Sequence, residues 1–179
     1  LNSEGLNCGQ RGTQKPARCN LTVIPMEGWT RDMLYIETRL PWVLPSPNIP
    51  FCDTPQYYAS AGIAGELSNF LQIGIGYTRP FQVFAAQCID PAALKAELDS
   101  YYLPGVAFRT IVYKPFSGSQ AGKLVKGVQY FFTDYEKASI TEVQFRVLQA
   151  IARLYPDRRA FEAATAVGAF DKVCGTNYV

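Results

Sequence analysis

Residues 57–81 hold the densest set of side chains suited to ligand chemistry. Tyr57 and Tyr58 lie about two helical turns before Glu66. Ile73-Gly74-Ile75-Gly76-Tyr77 then runs into Thr78-Arg79-Pro80-Phe81. A carboxylate, a tyrosine and an arginine from one segment can converge on a polar ligand. The other reading of Glu66 is a solvated surface residue, the usual fate of a single glutamate. Arg79 offers a rigid fork to an acidic ligand, or it caps a structural carboxylate, which is the commoner role. The two glycines let the backbone pass close to another group. They do not make a dinucleotide fingerprint, because the third glycine is absent and Arg79-Pro80 stands where a helix should begin.

The chain contains no histidine. Ser-His-Asp and Cys-His catalysis and the common histidine-bearing zinc sites are therefore excluded. Acid–base work falls to carboxylates, Tyr, Lys or Cys. The five cysteines include no CxxC pair, so neither a metal site nor a cofactor is expected. Cys8 and Cys19 flank a polar loop, and either a bridge there or five free thiols fits the spacing. The 11 tyrosines, with Trp29 and Trp42, either stack on sugar rings or pack in the core and its rim.

A length of 179 residues fits one domain, or one domain plus part of another. Hydrophobic residues at 48% and charged residues at 18% indicate a folded chain. The net charge of +2 gives no polybasic footprint, which argues against nucleic-acid binding. No apolar run is long enough to span a membrane.

Residues 1–20 read as a loop, without the charged-then-apolar pattern of a signal peptide. Leu21–Pro25 reads as a short strand. Prolines at 41, 45, 47, 50 and 55 mark a rigid connector. A helix is predicted over 54–67, capped by Asp53 or Thr54. Residues 81–89 form a buried strand or a short helix. Asp90-Pro91 starts a helix that carries Leu94 and Leu98 on one face. Strands are predicted over 106–113 and 125–133. Ser139 and Glu142 suggest a capping box for a helix striped by Ile140, Val143, Val147, Leu148, Ile151 and Leu154. A short helix follows over 159–164. The mixture lacks strict βαβ alternation, so the class is α+β, a mixed sheet packed by helices.

Several motifs in series resemble one family. They are Leu21-Thr22-Val23-Ile24-Pro25-Met26-Glu27-Gly28-Trp29, Leu40-Pro41-Trp42-Val43 and Pro45-Ser46-Pro47-Asn48-Ile49-Pro50. Gly74-Ile75-Gly76-Tyr77-Thr78-Arg79-Pro80-Phe81, Leu103-Pro104-Gly105-Val106, Gly127-Val128-Gln129 and Leu154-Tyr155-Pro156-Asp157 follow. From about residue 19 onward the chain resembles the exo-β-N-acetylmuramidase NamZ family, also called YbbC-like and formerly a domain of unknown function. Many members have Ala-Pro-Trp-Ile-Asp where this chain has Ala86-Gln87-Cys88-Ile89-Asp90.

The resemblance implies an N-terminal Rossmann-like lobe, in the same or another chain, and a smaller auxiliary lobe, with the active site between them. It implies release of N-acetylmuramic acid from non-reducing ends of peptidoglycan fragments, and hence an extracytoplasmic place: periplasmic, secreted or lipid-anchored. Residues 1–35 correspond to the end of the preceding lobe or an extension, 36–52 to the connector and 53–179 to the auxiliary domain. The region expected to carry the family's principal glutamate lies outside these residues, so the chain alone is expected to be inactive. By position, Tyr58 and Glu66 are the catalytic candidates. Asn48, Tyr77, Arg79 and Gln129 are the substrate-binding ones, with Arg79 on the lactyl carboxylate. The alternatives are a non-catalytic module that binds muramyl sugar or protein, and a non-catalytic paralogue completed by a partner chain.

Overall fold

The computed structural model describes residues 20–158 and 167–175. It divides into two units, Leu1–Arg39 and Leu40–Val179. The described part of the first unit is irregular apart from a 3-10 turn at Tyr35–Thr38, where the Glu37 carboxylate accepts the Leu34 N–H. The expected strand at Leu21–Pro25 is not formed. No described strand pairs with that segment, and an unpaired strand leaves its backbone groups to water.

The second unit opens with the proline-rich run, which holds neither helix nor strand up to α1 (Thr54–Ala61). Pro55 in the first turn sets the start of α1. Gly62 follows it, and the predicted single helix becomes α1 plus a 3-10 turn at Ala64–Leu67. Residues 81–89 resolve as strand β1 (Val83–Ala86), followed by α2 (Pro91–Asp99). The Asp90 carboxylate caps α2 by accepting the N–H groups of Ala92 (2.9 Å) and Ala93 (3.2 Å). Asp90→Ala is expected to lower stability by about 1 kcal/mol, read by urea denaturation.

β2 (Val106–Tyr113) and β3 (Val125–Phe132) form a hairpin, and β1 adds on the β3 side, giving the order β1-β3-β2. The α+β class holds, with every described pairing antiparallel where a mixed sheet was expected. β1, α2 and β2 make a split βαβ unit with β3 inserted between its strands.

α3 (Glu142–Leu154) begins at Thr141, and no side chain caps it. The expected Ser139 box gives way to a turn in which the Ser139 carbonyl accepts the Glu142 N–H at 3.0 Å. The predicted stripe is otherwise seen: Val143, Val147, Leu148 and Ile151 are buried, and Leu154 is partly so. The predicted helix over 159–164 and the Cys8–Cys19 pair lie outside the described residues. α4 (Val167–Cys174) closes the described chain. Cys52, Cys88 and Cys174 are free thiols.

The two faces of the sheet differ. Phe84, Phe108, Val128 and Tyr130 face the main core with Leu94 and Leu98 of α2 and Val147 and Ile151 of α3. Val83, Ala85, Ile111, Tyr113 and Val125 form a smaller cluster, against which Tyr77 packs. Arg109, Gln129 and Phe131 share the parity of this second set, because Arg109 pairs with Gln129 and Ala107 with Phe131. The second face is therefore apolar at one end of the hairpin and polar at the other.

Candidate functional site

A polar cleft of about 420 Å³ occupies that polar end. Asp53 and Tyr57 come from the start of α1, and Tyr77, Thr78, Arg79 and Gln82 from the glycine loop. The sheet supplies Arg109, Gln129 and Phe131.

The glycine loop is shaped by close approaches. Gly74 (φ +91) and Gly76 (φ +75) are in left-handed conformations. A Cβ on Gly74 would lie 2.6 Å from the Arg79 carbonyl oxygen, and one on Gly76 would lie 2.5 Å from that of Ser117. The close passage read from the sequence is thus a contact of the chain with itself. The loop is pinned by Phe116 N–H to the Gly76 carbonyl (2.8 Å) and by Tyr77 on Tyr113 (ring centroids 4.2 Å). Burial pushes the Tyr113 phenol up, so it stays protonated. Phe81 also has a positive φ of 66°, and its carbonyl accepts the Tyr130 hydroxyl at 2.6 Å. That bond anchors the loop's exit to the core.

Two guanidinium groups face the cleft. Arg79 Nη1 stands 3.9 Å from Asp53 Oδ2, and its guanidinium lies over Phe51. Both partners of this ion pair are substantially exposed, so it holds weakly. Arg109 donates to Gln129 Oε1 from Nε (2.9 Å) and Nη2 (2.5 Å) and sits over Phe131. Gln82 is buried, and its Oε1 has no hydrogen-bond partner among the described residues. A buried unpaired acceptor on a cleft wall suits a ligand N–H or O–H.

Of the residues singled out from sequence, Tyr57, Tyr77, Arg79 and Gln129 meet in this cleft. Tyr58, Glu66 and Asn48 do not line it. Tyr58 is 53% exposed and sets its ring edge-on to Phe81 (4.9 Å). Glu66 is partly buried on the 3-10 turn Ala64–Leu67. Asn48 is exposed, in a turn where its N–H donates to Ser46 Oγ at 3.3 Å. The carboxylate that lines the cleft is Asp53, which the sequence marks as a helix cap and not as a site residue. Arg109 and Gln82 were not singled out. A charged residue sharing strand parity with Ile111 and Tyr113 is the signal that marks Arg109. Among the described residues no group of His, Cys, Asp and Glu is arranged to hold a metal ion. Among the described residues no helix is long and apolar enough to cross a membrane.

Comparison with known proteins places the chain and its fold. The model of exo-β-N-acetylmuramidase NamZ, C-terminal, matches residues 56–179, and that of the N-terminal part matches residues 5–53. The peptidoglycan β-N-acetylmuramidase NamZ of Bacillus subtilis (strain 168) is 36% identical over 160 residues, covering 89% of this chain and 37% of the relative. A crystal structure of a DUF1343 family protein from Bacteroides fragilis NCTC 9343 superimposes with a TM-score of 0.85 at 41% identity. It covers 90% of this chain and 42% of that one. The chain thus spans well under half the length of either relative. With both family models matched in order and the same fold in a solved relative, the chain belongs to the exo-β-N-acetylmuramidase NamZ family.

Proposed function

We propose that this chain is the auxiliary portion of a peptidoglycan-degrading glycoside hydrolase that releases N-acetylmuramic acid from non-reducing ends. In this reading its cleft holds the muramyl sugar. The observation that carries the reading is the cleft's chemistry: two guanidinium groups against one carboxylate, with amides and aromatic rings between them. A muramyl sugar presents a carboxylate, an amide, hydroxyls and apolar C–H faces, and each finds a counterpart there. The name of the Bacillus subtilis relative supports the same substrate class.

A complete enzyme of this kind needs a pair of carboxyls, about 5–5.5 Å apart for retention or 6.5–9.5 Å for inversion. Asp53 is the sole carboxylate lining the cleft among the described residues. The principal acid is therefore assigned to a further, Rossmann-like lobe. Tyr58, Asn48 and Glu66 do not line the cleft, and in this reading they meet ligand only where that lobe covers them. The exposure of Val43, Leu44, Phe51 and Tyr58 supports such a covering surface. An extracytoplasmic place follows from the substrate.

The chain alone is expected to bind N-acetylmuramic acid more tightly than N-acetylglucosamine. It is also expected to release no sugar from a disaccharide ending in N-acetylmuramic acid. Calorimetry and a sugar-release assay check these. Equal binding of both sugars contradicts the cleft reading. Release abolished by Glu66→Gln contradicts the assignment of the acid to another lobe.

A further inference from the structure

The two arginines of the cleft are not equivalent. Arg79 shares its charge with Asp53. Arg109 has no carboxylate partner among the described residues. Its guanidinium is held instead by a neutral amide, with Nε and Nη2 both donating to Gln129 Oε1. Gln129 is only 5% exposed and stands opposite Arg109 in the strand ladder, so this acceptor cannot swing away. Phe131 lies under the guanidinium, its ring centroid 5.6 Å from the central carbon.

This arrangement orients a cation without neutralising it. A guanidinium has five N–H donors in a rigid plane. Gln129 occupies the Nε/Nη2 edge, which leaves the Nη1/Nη2 edge free. That edge matches the two oxygens of a carboxylate in a bidentate pair. An amide clamp fixes its direction, and side-chain freedom is lost before the ligand arrives.

We propose that Arg109 reads the carboxylate of the bound sugar and that Gln129 is its positioning residue. The inference rests on the muramyl reading of the cleft and deepens it. The family resemblance gave this role to Arg79; here Arg79 has a carboxylate neighbour of its own in Asp53. The chemical class selected is a sugar with a carboxylate on an ether arm, against the same sugar without it.

The test titrates the whole chain with N-acetylmuramic acid and with its neutral lactyl carboxamide, followed by NMR. The wild-type chain is expected to prefer the acid by about tenfold, the worth of a charge-assisted pair at an exposed site. Arg109→Ala is expected to bring the two ligands within about twofold of each other, and Arg79→Ala to keep most of the preference. Gln129→Leu is expected to cut the acid-to-carboxamide preference to about threefold, a change in the ratio between two ligands that loss of folded protein, which weakens both alike, does not produce. A preference intact in Arg109→Ala, or abolished in Arg79→Ala, overturns the assignment and leaves the muramyl reading standing. A wild-type chain that binds neither ligand, or both equally, overturns that reading and the inference together.

Discussion

Gly127→Ala is expected to destabilise the Leu40–Val179 unit by roughly 3 kcal/mol, at the upper end for overpacking a tight site. Gly127 lies in the central strand, paired with Ala85 on one side and Ile111 on the other. A Cβ there would sit 2.0 Å from the Phe84 carbonyl oxygen and 2.7 Å from the Ala85 Cα. Both are backbone atoms of β1, so no side chain can turn aside to make room. Its φ is not in the left-handed region, so the cost comes from crowding alone. Moving β1 away would also loosen the Val83–Gln129 pairing and the neighbouring Gln82, both at the cleft. Chemical denaturation of the variant measures the loss. Wild-type stability would mean the β1–β3 spacing is wrong.

Gln144→Leu is expected to cost a similar amount, again roughly 3 kcal/mol, or about 10 °C in melting temperature. Gln144 is 1% exposed on α3, among apolar neighbours. Its Oε1 accepts the N–H groups of Ile63 (2.9 Å) and Ala64 (3.3 Å), and its Nε2 donates to the Ala59 carbonyl (3.1 Å). These backbone groups are left open where α1 ends and the 3-10 turn begins. Leucine fills the space and satisfies none of them. Three backbone groups, one buried and two part-buried, lose their partner at once, and this outweighs the apolar area gained. Gln149→Leu is the matched control, since Gln149 is exposed and bonds only Arg146 among the described residues. Its effect is expected within about 0.5 kcal/mol. Thermal unfolding of the pair separates the two cases.

These residues show where sequence reading works and where it stops. The strands over 106–113 and 125–133 were legible because runs of Val, Ile, Phe and Tyr are bounded by Pro and Gly. α2 was legible from Asp90-Pro91, and α3 from its stripe. Leu21–Pro25 has strand composition, but composition does not supply a pairing partner. Gln144 looks like a surface polar residue, because its partners lie about 80 positions away. The cleft was half legible. Tyr77 and Arg79 sit on a glycine loop that advertises itself, and Gln129 came through the family motif. Arg109 carries only the signal of a charge in strand parity with Ile111 and Tyr113, and its register with Gln129 is what ties it to the cleft. Asp53 reaches the cleft because α1 starts beside the glycine loop, a packing event with no local signature.

In the proposed function the polar end of the second sheet face binds the muramyl sugar. The most direct measurement is residue-by-residue amide shift mapping of the labelled chain during titration with N-acetylmuramic acid. The expected result is a saturable set of shifts confined to the start of α1, residues 77–82, and Arg109 with Gln129 and their strand neighbours. Shifts centred instead on the groove lined by Gly65, Leu71, Ile75 and Ser119, or no saturable shifts, would contradict it.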